Sequence, residues 1–191
     1  EPFLNLLKAF EQDQSVVRYT SRPALLEYCR YSANPVGRII LAMTGCQSSD
    51  QIAWSDSICT GLQLINFCQD VKRDRLAGRV YLPADDMLRH GVDETMLDAR
   101  QASSQLVSLL GEEVAWARDC LCFGLPLEKT APRVVRPAIK MFVRGGLAIA
   151  DAIERQGFDT LASRPTVSRW TKLRLASSAW LGMKFGGILP E

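Results

Sequence analysis

The stretch from Leu62 to Pro83, LQLINFCQDVKRDRLAGRVYLP, constrains the fold more than any other part of the chain. At about 100° per residue on a helix, Gln63, Asn66, Asp70 and Asp74 fall within roughly 80° of one another, a polar stripe about three turns long. Ile58 and Leu62 border the stripe on one side; Leu64, Phe67 and Val71 border it on the other. A helix facing water carries long, mixed Lys and Glu side chains. Short amides and carboxylates between apolar flanks instead suit a helix that lines a cavity with an acidic floor.

Asp70 and Asp74 stand one helical turn, about 6 Å, apart. Such a pair repels itself unless a cation lies beside the oxygens, and oxygen donors without His or Cys favour Mg²⁺ over zinc. Magnesium keeps coordination positions for water and phosphate, so the expected ligand is a diphosphate held through the metal. The competing reading is a solvated helix end on which Asp70 and Asp74 pair with Lys72, Arg73 or Arg75.

No run alternates with a strand's period, and no repeat or low-complexity linker interrupts the chain, so residues 1–191 read as one all-α domain. Its 47% hydrophobic content suits a helical domain with a substantial core. A net charge of +2 gives no footing for nucleic-acid binding. The six cysteines show no paired CxxC spacing and lie mostly in apolar helical stretches, as buried thiols of a reducing compartment do. Neither a spanning segment nor a signal peptide is found, so the expected location is cytoplasmic, at most peripheral to the inner membrane face.

Helices are expected over Pro2 to Gln14, from Pro23 to Met43 with an interruption at Pro35 and Gly37, from Ser48–Asp50 through Asp74, over Ser103 to Phe123, from Pro132 to Gln156, and from Thr166 to Phe185. Leu76 to Pro83 reads as a loop that projects Arg79 and Tyr81 near the aspartates. Asp85, Asp86, Asp93 and Glu94 read as caps and first-turn charges, and His90 as a helix-end residue. The Arg136, Lys140 and Arg144 stripe reads as solvated. Trp170, Trp180 and Lys184 in the last helix suit contact with a membrane surface or packing in the core.

The motifs carry a resemblance as well. Gln63, Asn66, Asp70, Asp74, Gly78, Arg79, Tyr81, Leu82 and Pro83 match the second aspartate-rich segment and following turn of squalene and phytoene synthases, and YCRYSANPVG from Tyr28 to Gly37 resembles that family's upstream segment. The Asn-Pro before Val36-Gly37, and Gln69 where many members have Arg, look most like the hopanoid-pathway branch, which converts presqualene diphosphate to hydroxysqualene. The resemblance implies an isoprenoid synthase-type helical bundle around a central apolar cavity. It implies Mg²⁺ on Asp70, Asp74 and Asn66, and catalytic roles for Tyr28, Arg79 and Tyr81. Substrate contact falls to Gln63, Asn66, Gln69, Val36 and Gly37. The implied partners are a prenyl diphosphate, presqualene or farnesyl, together with neighbouring hopanoid-pathway enzymes and a membrane surface.

The family's first aspartate motif has no counterpart between Glu1 and Tyr28, where Glu11 and Asp13 stand in a different context. The chain is therefore expected to be incomplete at its N-terminal side. Three other readings stay open: a condensing synthase making presqualene diphosphate, phytoene or dehydrosqualene; a non-catalytic fragment or partner subunit that binds prenyl diphosphate; and a helical membrane-surface module.

Overall fold

A computed structural model describes residues 1–46, 48–168 and 177. Among the described residues nine α-helices run in chain order: α1 Pro2–Gln12, α2 Arg22–Ser32, α3 Asn34–Met43, α4 Ser49–Gln69, α5 Val71–Leu76, α6 Ala84–Arg89, α7 Ser104–Phe123, α8 Leu127–Thr130 and α9 Arg136–Arg155, with a 3₁₀ turn at Glu94–Asp98. Among the described residues there is no strand. A single parallel bridge joins Arg18 to Val80. The expected final helix, with Trp170, Trp180 and Lys184, lies almost wholly outside the described residues.

The helix starts follow local chemistry. Ser21 accepts from the Ala24 amide with Pro23 in the first turn of α2, and Ser103 accepts from Leu106 at the start of α7. Ser48 and Gln51 form a reciprocal capping box that opens α4. The break between α2 and α3 comes at Ala33, earlier than expected from Pro35 and Gly37. Proline lacks an amide hydrogen and disfavours helical geometry in the residue before it, so Pro35 sits in the first turn of α3 and the break lies upstream.

Helix α4 is the axle of the bundle. It packs most extensively along α7 and also meets α2, α3, α8 and α9. Its buried residues, including Ser55, Ile58, Thr60, Leu64, Ile65, Phe67 and Cys68, face several directions at once, as expected of a helix surrounded by others. Gly61 sets the close approach to α7: a Cβ there would lie 2.9 Å from the Ala117 carbonyl oxygen and 3.0 Å from the Leu121 amide nitrogen. Gly37 does the same for α3, where a Cβ would meet the Ser55 hydroxyl and lie 2.7 Å from the Cys59 sulfur.

Two cores flank this axle. The larger joins Leu25, Tyr28, Ile65, Phe67, Leu97, Leu106, Leu110 and Ile153. The smaller joins Leu41, Ile58, Leu121, Leu127, Ile139 and Val143. Beside the smaller core an apolar cavity of about 150 Å³ opens between α3, α4 and α9, lined by Val36, Gly37, Ile40, Ile58, Leu62 and Phe142 among others. No helix among the described residues is long and apolar enough to cross a membrane.

Candidate active site

The expected single helix through Asp74 bends at Asp70, whose φ of −106° and ψ of 14° end α4 and begin α5. Hydrogen bonding continues across the bend, from the Asp70 amide to the Asn66 carbonyl and from the Asp74 amide to the Asp70 carbonyl, both at 2.9 Å. Asp70 and Asp74 therefore stay one turn apart although the helix is kinked between them.

Their environments differ. Asp70 accepts from Arg164 at 2.7 and 2.8 Å and from Arg73 at 3.3 Å, and these bonds hold its carboxyl below the usual range. Asp74 is half-buried, and burial first, then the Asp70 charge, pushes its carboxyl up to about 6. The solvated-pair reading thus holds for Asp70 with Arg73 but extends no further. Lys72 donates to the Leu161 carbonyl, and Arg75 is committed to Asp98 and Glu94.

The loop after α5 is fixed by main-chain bonds from Val80 to the Val17 carbonyl and from Ala84 to the Tyr19 carbonyl, each 2.9 Å. This register brings Tyr81 down onto the α4 side chain Phe67, ring centroids 4.0 Å apart and stacked within 8°. Tyr28 from α2 stands 5.9 Å from the Tyr81 ring and Tyr19 stands 5.2 Å from the Tyr28 ring. The result is a buried aromatic group. Arg79 lies beside the Tyr81 and Tyr28 phenols and near Asp74, and its Nη2 donates to the Asp13 carbonyl at 3.3 Å. A small gap lined by Phe67, Asp74, Arg79, Tyr81 and Leu97 separates the carboxylate from the rings.

Tyr28, Arg79, Tyr81 and Asp74 therefore converge. Gln63 is half-buried and Asn66 exposed on the same helix. Gln69 points elsewhere: it is buried, donates to the Pro165 carbonyl at 2.5 Å and accepts from Arg164 at 3.0 Å, so its amide braces the segment after α9. Val36 and Gly37 line the apolar cavity, whose wall includes neither aspartate. That cavity runs along the Ile58 and Leu62 flank of the stripe, not over the acidic floor that the stripe led one to expect.

Two participants carry no sequence signal of their own. Asp13, 15 residues before Tyr28, accepts the Tyr28 hydroxyl at 2.8 Å. Arg164, 94 residues from Asp70, is its bidentate partner. The other acidic residues go to ion pairs and caps: Asp93 caps the 3₁₀ turn, Glu94 binds Arg18 and Arg75, and Asp86 stands in the first turn of α6 as expected and, buried there, also bridges Arg22 and Arg89. His90 meets Glu112 at 2.9 Å at the end of α6. Among the described residues no group of three or more His, Cys, Asp or Glu side chains is gathered as a metal cage.

The fold and sequence have known counterparts. The family model described as squalene/phytoene synthase matches residues 1–171. A hydroxysqualene synthase of Zymomonas mobilis is 47% identical over 85 residues, 44% of this chain and 28% of the relative. The crystal structure of squalene synthase HpnC from Alicyclobacillus acidocaldarius superposes with a TM-score of 0.80 at 38% identity, covering 82% of this chain and 60% of that one. A dehydrosqualene synthase crystallised with a ligand gives 0.85 at 27% identity, covering 96% and 65%. The chain spans between 28% and 42% of the hydroxysqualene synthases it matches. With an all-α bundle, an aspartate pair beside an aromatic group and a family match over most of its length, this chain belongs to the squalene/phytoene synthase family.

Proposed function

We propose that this chain carries part of the site of a head-to-head prenyl synthase, and that the reaction is conversion of presqualene diphosphate to hydroxysqualene with release of diphosphate. The observation that carries the reading is the Asp74 carboxyl, raised by burial and by Asp70, set beside Arg79 and the Phe67–Tyr81 stack. The three hydroxysqualene synthases, at 38–47% identity, support this choice of reaction.

The donor set fits magnesium. Asp70, Asp74 and Asn66 offer only oxygen as anionic or amide ligands, and burial together with the Asp70 charge raises the Asp74 carboxyl, an effect that a bound cation would oppose. When bound, Mg²⁺ supplies Lewis-acid neutralisation of the departing diphosphate. Arg79 orients the same leaving group by charge-assisted hydrogen bonds. The aromatic group of Phe67, Tyr81, Tyr28 and Tyr19 supplies the π surface beside which the carbon becomes cationic and helps keep bulk water from it. Gln63 lies toward the stripe and is the amide available to order the water that ends the reaction. The apolar cavity along Val36, Ile58 and Leu62 takes the hydrocarbon. Because substrate and product are apolar, exchange at the inner membrane face and with neighbouring hopanoid-pathway enzymes belongs to the same reading.

Incubation with presqualene diphosphate and Mg²⁺, followed by assay of diphosphate and organic products, tests this. Hydroxysqualene is expected. Products from farnesyl diphosphate alone would instead favour a condensing synthase, the second reading, which the similarity to a dehydrosqualene synthase supports. Binding without release would favour a non-catalytic prenyl-diphosphate-binding subunit.

A further inference from the structure

Asp13 stands immediately after α1 as its C-cap. A negative charge is unfavourable at a helix C-terminus, where the carbonyl ends of the peptide dipoles gather. Helix stability therefore does not account for an aspartate there. What it does touch is the reacting cluster. Its carboxylate accepts the Tyr28 hydroxyl at 2.8 Å, and its main-chain carbonyl accepts from Arg79 at 3.3 Å. Tyr19, in the same aromatic group, shows what the alternative looks like: its hydroxyl is buried and has no hydrogen-bond partner among the described residues.

We infer that Asp13 is a positioning residue for the cluster, fixing the rotation of the Tyr28 hydroxyl and steadying Arg79. The inference rests on the functional reading above. Its physical content is directional. A phenol that donates to Asp13 has its proton committed on that side, so its oxygen lone pairs are what it presents to the Tyr81 and Arg79 side chains beside it. Lone pairs facing a developing cation stabilise it, whereas a freely rotating hydroxyl can turn its proton inward and oppose it. Asp13 would thus act on the chemical step through Tyr28, without contact with the substrate.

The test is the rate of diphosphate release from presqualene diphosphate with Mg²⁺ in Asp13→Ala, Asp13→Asn, Tyr28→Phe and the Asp13→Ala/Tyr28→Phe pair. Loss of one oriented hydrogen bond should lower kcat about tenfold in Asp13→Ala with KM within about twofold. Asp13→Asn keeps an acceptor oxygen and should stay within about threefold of the parent. Tyr28→Phe should match Asp13→Ala, and the double variant should be no slower than Tyr28→Phe. A carbon-13 label on the Tyr28 phenol carbon gives a readout independent of turnover, its shift moving in Asp13→Ala more than in Asp13→Asn. Parental kcat in Asp13→Ala, or losses that multiply in the double variant, would overturn the inference. If Asp13→Ala fails to fold, Asp13→Leu, which keeps the volume and lacks the acceptor, takes its place in the same comparisons. A parent chain that releases no diphosphate overturns the functional reading, and this one with it; a parent that does, beside an unaffected Asp13→Ala, overturns this one alone.

Discussion

Asp70 and Asp74 are the same residue type one turn apart, yet their carboxyls are shifted in opposite directions, one by arginine and one by burial. That difference separates stability from function. Asp74→Asn removes a buried charge without removing volume, so it should raise stability by on the order of 1 kcal/mol while abolishing diphosphate release. Thermal unfolding and product assay on one preparation check both halves. Asp70→Asn also loses turnover but forfeits the Arg164 pair, costing about 1 kcal/mol or less at this partly exposed site. Arg164→Ala frees the Asp70 oxygens, so Mg²⁺ affinity measured by calorimetry should rise a few-fold if Asp70 is a ligand; an unchanged or weaker affinity would show that Arg164 supports the site instead.

At the scale of elements, the weak joints are polar. The start of α2, the whole of α6 and the middle of α7 are tied by Arg22, which reaches Asp86 at 2.7 Å and Glu113 at 3.0 Å and lies over the Trp116 ring at 4.8 Å. Glu113 is 3% exposed, and burial pushes its carboxyl from 4.5 up to about 7 against the pull of Arg22. A raised carboxyl pKa means that the folded state holds the proton more tightly. Its stabilising effect is complete below about 4.5 and is lost as pH rises through about 7. The parent should therefore lose stability relative to Glu113→Gln between pH 5 and 8, by a few degrees in Tm. Parallel Tm profiles for the two proteins would sink this assignment. Because α6 follows directly on the loop carrying Arg79 and Tyr81, this joint also holds that loop in register.

Across the whole molecule, apolar surface is not all gathered inside. Phe3, Leu4, Leu7 and Phe10 on α1 are 56–69% exposed, and Val36, Ile40 and Met43 on the adjoining α3 are exposed too. Apolar patches of this kind drive association. Sedimentation velocity should show concentration-dependent association of the chain, reduced by Leu7→Glu with Phe10→Glu; a monomer at all concentrations would refute this.

The sequence by itself determined what local chemistry and periodicity can decide. Caps at Ser21, Ser48 and Ser103 and the 3.6-residue patterns of α4, α7 and α9 required no distant partner. The stripe of Gln63, Asn66, Asp70 and Asp74 follows from spacing alone, and Arg79 and Tyr81 follow from the loop placed directly after it. Only the tertiary structure decided which distant groups meet. Asp13 with Tyr28, Arg164 with Asp70 and Arg22 with Glu113 lie 15, 94 and 91 residues apart. No periodicity links such positions, because ion pairs and hydrogen bonds between helices are fixed by how the helices pack. The same holds for Gln69, which the family resemblance offers to the site and packing turns away from it, and for the bend at Asp70, where the backbone departs from the straight helix that the stripe alone predicts.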